Sequence, residues 1–161
     1  MREEKELFKL HALPLDGRRF YLTEFVDYAD ESGIYHKHRV VMIDGEPYPK
    51  HALFSDQWLV NSSSAEFIRS NPQYGNVLSN TQRLEEDLLP AARETFREIA
   101  HRVGLDFFGV DCLVRNDGTV LIFEANATMN ILQKAHPTIQ SYLDAVIKAN
   151  YELILSRIGQ G

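Results

Sequence analysis

FFGVDCLVR (residues 107–115), NDG (116–118) and TVLIFEA (119–125) form the stretch whose reading decides the fold. The outer segments are rich in branched and aromatic residues, which suit a pleated, half-buried surface, and the segment between them is turn material. If Asp117-Gly118 is a two-residue hairpin loop, Asn116 faces Thr119, and the same register carries Asp111 directly opposite Glu124. Side chains alternate faces along a strand. Glu124 and Asn126 therefore share a face with Val120 and Ile122, while Phe108, Val110, Cys112, Val114, Leu121 and Phe123 form the expected core face.

Opposed carboxylates with Cβ atoms about 4.5–5.5 Å apart repel each other. In otherwise apolar strands they are also poorly solvated, which raises the cost of keeping both ionised. A divalent cation between them removes the conflict. With the amide oxygen of Asn126 the set is all oxygen, which suits magnesium or manganese and not zinc. On this reading Asp111→Asn relieves the repulsion and stabilises the metal-free protein. The plainer alternative is a half-exposed hairpin whose polar residues face water, and a one-residue slip in register would turn Asp111 to the other face.

Working outward, Leu84, Leu88, Ala92, Phe96, Ile99 and Val103 recur at helical spacing and end at Gly104. Pro90 implies either a kink or a helix that starts near Leu89. Strands are expected over residues 19–27, 34–43 and 46–54, with a turn over 28–33 and a hairpin at Asp44-Gly45. Pro47 and Pro49 suit an edge strand. Ser63-Ser64-Ala65-Glu66 has the capping-box pattern of a short helix, and residues 71–80 read as a loop. A last helix is expected over 138–158, with Ile139, Tyr142 or Leu143, Val146, Leu153 and Ile154 on its apolar face. The fold class is α+β, an antiparallel sheet whose core face packs on the two long helices. Residues 1–18 read as a leading segment and 19–161 as one domain.

The chain has 161 residues, 44% of them hydrophobic and 25% charged, a globular composition of single-domain length. A net charge of −6, with no basic run, argues against nucleic acid or an anionic membrane as partner. The single cysteine, Cys112, excludes a disulfide framework and points into the core. No apolar stretch approaches the roughly 18 residues of a membrane span, and Met1 to Lys5 is charged, so a cytoplasmic protein is expected. His51 reads as a hydrogen-bonded surface residue and Trp58 as a core or lid anchor.

Gly109-Val110-Asp111 followed by Glu124-Ala125-Asn126 resembles the metal signature of the ATP-grasp superfamily, which includes D-alanine–D-alanine ligases, glutathione synthetases and ribosomal-protein glutamate ligases. Thr23-Glu24-Phe25-Val26 resembles the segment whose backbone reads the adenine edge there, and Lys37-His38-Arg39, with Lys50, resembles the basic strand near the phosphates. The resemblance implies ATP and magnesium or manganese as cofactors, the metal on Asp111, Glu124 and Asn126. It implies Arg39 and Lys37 as catalytic cations, and Asn61 near the phosphates. Leu113 and Ile122 would lie beneath the adenine. Lys37 stands where relatives often carry a ribose-binding acid, a role that Asp27 could take.

The implied chemistry is ligation of a small-molecule or peptide carboxylate to an amine or thiol through an acyl phosphate. Nothing before Arg19 matches the other subdomain of that fold, with its phosphate lysine and glycine-rich lid. The chain therefore reads as the carboxyl-terminal subdomain of a longer protein, partnered by the rest of its parent and inactive alone. Two alternatives stay open, a non-catalytic nucleotide- or metal-binding module and a structural α+β domain.

Overall fold

The computed structural model describes residues 16–17, 19, 23–61, 64–129 and 140–158. Strand β1 (Tyr35–Ile43) turns at Asp44-Gly45, where φ is +50° and +80°, into β2 (Glu46–Ser55). Two left-handed residues in a row match the twist of the strands they join. Strands β3 (Phe107–Val114) and β4 (Val120–Asn126) complete an antiparallel sheet of order β2-β1-β3-β4. Pro47 and Pro49 sit on the edge strand β2, where a missing N–H costs no inner ladder bond. The chain is thus α+β with a four-stranded antiparallel sheet.

Among the described residues of the range 19–27, the expected strand does not form. Residues 23–30 run without regular structure, and residues 18 and 20–22 lie outside the described residues. Local bonds compete with a ladder in this region. Asp27 Oδ1 accepts from the Ala29 N–H, and Asp30 Oδ1 accepts from those of Ser32 and Ile34.

Three short elements follow β2: helix α1 (Ala65–Ser70), a 3-10 turn (Pro72–Tyr74) and helix α2 (Val77–Arg83). Ser64 precedes α1 without a side-chain capping bond, and Ser63 lies outside the described residues. The loop expected over 71–80 instead holds the 3-10 turn and the start of α2. Asn76 caps α2, its Oδ1 accepting from the Ser79 N–H at 3.0 Å. A π-helical turn (Leu84–Leu88) then joins α2 to α3 (Leu89–Val103). The Leu89 N–H reaches back five residues to the Leu84 carbonyl, directly before Pro90, which has no N–H to donate. The wide turn absorbs the proline ring. Gly104, at φ +68°, closes α3 by donating to the Ala100 carbonyl.

Val40, Met42, Phe108, Val110, Cys112 and Val114 pack on Leu84, Leu88, Ala92 and Phe96. On the other face, Val41 and Ile43 meet Leu143 and Val146 of α4 (Gln140–Ile158). One helix therefore covers each face, a correction to the expectation that both pack on one. Helix α4 buries Leu143 rather than Tyr142, and Ile154, expected in its inward stripe, is 49% exposed. Residues 138 and 139 lie outside the described residues.

The β3–β4 turn also departs from expectation. Arg115 donates to the Thr119 carbonyl and Gly118 to the Arg115 carbonyl, with Gly118 at φ +81°. The loop is therefore three residues, Asn116 to Gly118, and the pairs nearest it are Val114↔Val120, Leu113↔Leu121 and Cys112↔Ile122. A bulge then adds Phe123 to β4, after which Asp111 faces Glu124 and Gly109 faces Asn126. Two departures cancel, and the expected carboxylate pair forms. The faces of the residues between do not follow expectation. Val120 packs on the core, and Ile122 opposes the buried Cys112, away from the carboxylates. Leu121 pairs with Leu113, and Phe123 comes beside Glu124 on Asp111's face.

Strands β1 and β3 cease to pair beyond His38↔Cys112, and there the Val114 N–H bonds to His38 Nδ1 at 3.0 Å. Only a neutral imidazole accepts this bond. Burial, reinforced by the charges of His36 and Arg83, lowers the His38 pKa to about 3. The folded state thus binds fewer protons than the unfolded chain, so stability falls as pH drops below about 6.5 towards the folded value. We expect a loss of about 2 kcal/mol between pH 7 and pH 5 from this group. His38→Asn keeps an acceptor without a titrating ring, so the wild-type and variant urea-unfolding curves should converge as pH falls. A constant difference between them contradicts this assignment.

Candidate functional site

His51, Arg39, Asp111 and Glu124 stand in one row across all four strands, joined by the pairs His51↔Arg39, Arg39↔Asp111 and Asp111↔Glu124. A bulge borders the row on each side, at Phe123 in β4 and at Lys50, which is extra between the Arg39↔His51 and Val40↔Pro49 pairs. Bulges beside a site re-aim side chains. Lys50 is turned into the same pocket as Arg39 and Asp111.

Arg39 grips Asp111 with both prongs, Nε to Oδ1 at 2.5 Å and Nη2 to Oδ2 at 2.6 Å, and Lys37 Nζ lies 3.3 Å from Oδ2. Burial pushes the Asp111 carboxyl up, but the Arg39 hydrogen bonds and charge, with Lys37, more than offset it and hold it below its ordinary value. The same bonds raise Arg39. This corrects the expectation of two carboxylates in unrelieved repulsion, because cations from β1 already pair with Asp111 on its side away from Glu124. Glu124 is exposed, and its Oε1 accepts from Asn126 Nδ2 at 3.2 Å. Asn126 Oδ1 accepts from the Thr128 N–H and hydroxyl.

Arg39, Lys50, Asp111, Glu124, Asn126, Thr128 and Met129 enclose a pocket of about 120 Å³. Met129 reaches it only because Gly109 has no side chain, since a β-carbon there would lie 1.6 Å from Met129 Cε. Burial, then the Arg39 charge, lowers the Lys50 pKa. Three oxygen-bearing side chains on one wall fit a hard divalent cation that keeps several waters and shares its shell with phosphates. Among the described residues no group of three or more His, Cys, Asp or Glu could hold a metal, so a site built from protein carboxylates alone does not fit.

The structure thus gathers Lys37, Arg39, Lys50, Asp111, Glu124 and Asn126. Leu113 is buried on their side of the sheet, and Ile122 is not on it. Asn61 lies in the turn before α1, where its N–H donates to Ser64 Oγ, and does not line the pocket. Phe25 and Val26 are exposed, with Phe25 edge-on to the exposed Trp58. Asp27 Oδ1 accepts from the Tyr35 hydroxyl at 3.2 Å. Next to it, the Tyr28 ring meets Tyr35 and Phe123, and its hydroxyl donates to the Trp58 carbonyl. His51 is half-buried, not a surface residue. Burial first, then Arg39 and Lys50, lowers its pKa to about 4. Cys112 is buried in the core, and burial pushes its thiol far up, so it is no nucleophile.

Sequence reasoning missed Phe123, Thr128, Met129 and the part played by Gly109. A glycine inside a strand pattern was the available signal for the last, since it marks a bulge or a close approach.

A larger trough of about 920 Å³ opens beyond His38, lined by Tyr28, His36, Phe54, Tyr74, Arg83 and Arg115 among others. Several of its polar groups are engaged with one another: His36 with Asp30, Arg83 with Asn116, and Asn80 with the Tyr74 carbonyl. Asp30, Glu31, Arg83, Arg115 and Asp117 also line the trough, but Asp111, Glu124 and Asn126 converge with Arg39 and Lys50 in the smaller pocket, so the smaller pocket is the candidate site. Comparison of the chain with known protein families, with curated proteins and with solved structures finds no match.

Proposed function

We propose that this chain is the nucleotide- and metal-holding portion of an ATP-dependent carboxylate ligase of the ATP-grasp kind. The observation that carries the reading is the placement of Asp111 opposite Glu124, with Asn126 beside them, on a wall shared with Arg39 and Lys50. A magnesium or manganese ion on the three oxygens would supply charge neutralisation for the phosphates. The pocket, at about 120 Å³, is smaller than the roughly 300–1,000 Å³ of sites that enclose whole ligands. It therefore takes the phosphate end of ATP, and the base lies outside it.

Leu113 and Phe123 provide the apolar floor for the base, beside Tyr28, and the backbone of residues 24–26 meets its edge. Phe123 takes the role first given to Ile122. Arg39, Lys37 and Lys50 hold the transferring group and the substrate carboxylate. The carboxylate attacks the γ-phosphorus and ADP leaves, and an amine or thiol then displaces phosphate from the acyl phosphate. Glu124 and Asn126 are exposed, and water weakens each contact they make. We accordingly assign turnover to the parent protein and only weak nucleotide affinity to the isolated chain.

Titration with Mg-ADP tests the placement. Resonances of residues 23–27 and 123 should shift, and Phe123→Ala should weaken binding roughly tenfold, the scale of losing one base–aromatic stack. Ile122→Ala should leave affinity unchanged. Equal effects of the two variants, or no shift at 23–27, contradict it.

One further reading has an observation in its favour. The two-pronged Arg39–Asp111 pair would also serve a structural α+β domain as a stitch between β1 and β3. A chain that binds neither cation nor nucleotide is the result that reading requires.

A further inference from the structure

We infer that a divalent cation at Asp111 must displace Arg39, so that Arg39 becomes an anion receptor only when the cation is in place. The inference rests on reading the pocket as a cation and phosphate site. Arg39 occupies both Asp111 oxygens, at 2.5 and 2.6 Å, and Lys37 approaches Oδ2 as well. Arg39 and Lys37 together take up both lone pairs of Oδ2 and the fork takes one of Oδ1, so a cation competes with them for the carboxylate and its charge repels the guanidinium, and at least one prong lets go.

The surroundings determine where Arg39 goes. Its side chain is 34% exposed and lines the pocket, so it has room to turn towards solvent. His51, its partner on β2, is held neutral and offers no charge. Glu124 is the next carboxylate in the row, and the same cation binds it. Lys37 and Lys50, the other charges near Arg39, are cations and repel it. A displaced Arg39 is thus left facing the pocket mouth with an incoming anion as its partner.

Without the cation the order reverses. An anion can reach Arg39 only by breaking the pair with Asp111, leaving that buried carboxylate to Lys37 alone. Cation and anion therefore each raise the other's affinity, and by linkage they do so by the same factor.

The experiment uses the intact chain with arginine side chains labelled for NMR and magnesium chloride as the probe. Magnesium should shift the resonances of residues 111, 124 and 126, and the Arg39 Nε–H, slow to exchange while bonded to Asp111, should lose its protection in the same titration. In Arg39→Lys the charge remains but the fork is gone, so magnesium should bind at least about fivefold tighter than in wild type. If residues 111, 124 and 126 shift while the Arg39 Nε–H stays protected, or if Arg39→Lys binds magnesium no tighter, displacement is wrong and the cation site stands. If those residues do not respond to magnesium at all, the functional reading itself fails, and this inference with it.

Discussion

Asp111→Asn is expected to destabilise the fold by about 2–4 kcal/mol, the opposite of what charge relief between two carboxylates would give. The Asp111 side chain is 8% exposed, and two cations converge on it. An asparagine leaves Arg39 and Lys37 half-buried with only the exposed Glu124 as a nearby counter-charge for Arg39. Loss of one partner from a buried pair costs about 3–5 kcal/mol, and the 34% exposure of Arg39 lets water screen part of that. Urea unfolding at pH 7 measures the difference. The sign of its pH dependence follows from the lowered Asp111 pKa. The pair's contribution is complete above the unfolded carboxyl value of about 3.9 and is lost as pH falls through the lower folded value. The gap between wild type and variant should therefore close in acid. A variant as stable as wild type at pH 7 contradicts the ion-pair account.

Gly118→Ala should be as damaging, for reasons of backbone and space together. Gly118 sits at φ +81°, and an added β-carbon would lie 2.4 Å from the Ala91 carbonyl oxygen, a backbone atom that cannot yield without moving α3. Thr95 Oγ1 also donates to the Gly118 carbonyl, which ties the turn to that helix. We expect a loss of about 3 kcal/mol or more. Gly45→Ala is the control. Its φ is +80° but nothing lies within 4 Å of the added carbon, so only the backbone strain of about 1 kcal/mol should appear. The Gly118 turn also sets the register that the Phe123 bulge corrects, so the variant should lose its response to magnesium along with stability. Equal costs at the two glycines would remove the packing part of the explanation.

Local features were legible in the sequence because local physics determines them. The Asp44-Gly45 turn, the two edge prolines and the Gly104 cap each depend on the conformational range of one or two residues. The opposition of Asp111 and Glu124 was also read, but from a two-residue loop that does not exist. The true loop is longer by one residue and the Phe123 bulge restores the count. Bulges answer to packing across the sheet, so the faces of Ile122 and Phe123 could not be read from alternation alone.

Residues 23–30 have strand-like neighbours, yet the carboxylates of Asp27 and Asp30 close local loops that no propensity registers. Helix α4 carries two apolar stripes. Leu143 and Val146 face the sheet while Tyr151, Ile154 and Leu155 face outward, and spacing does not say which stripe is buried. The pairing of Arg39 with Asp111 was hidden for a similar reason. Lys37 and Arg39, two residues apart on one strand, share a face by alternation, but only the strand order sets β1 beside β3.

The central claim is that Asp111, Glu124 and Asn126 form a divalent-cation site on the Arg39 row. Paramagnetic broadening by manganese in the isotopically labelled chain tests it most directly. Substoichiometric manganese should erase the amide signals of residues 109–112 and 124–127 first, and Glu124→Gln, at an exposed position that leaves the fold intact, should restore them. Broadening that instead centres on the exposed acidic turn at Glu85 to Asp87, or that is unchanged in Glu124→Gln, would contradict the site.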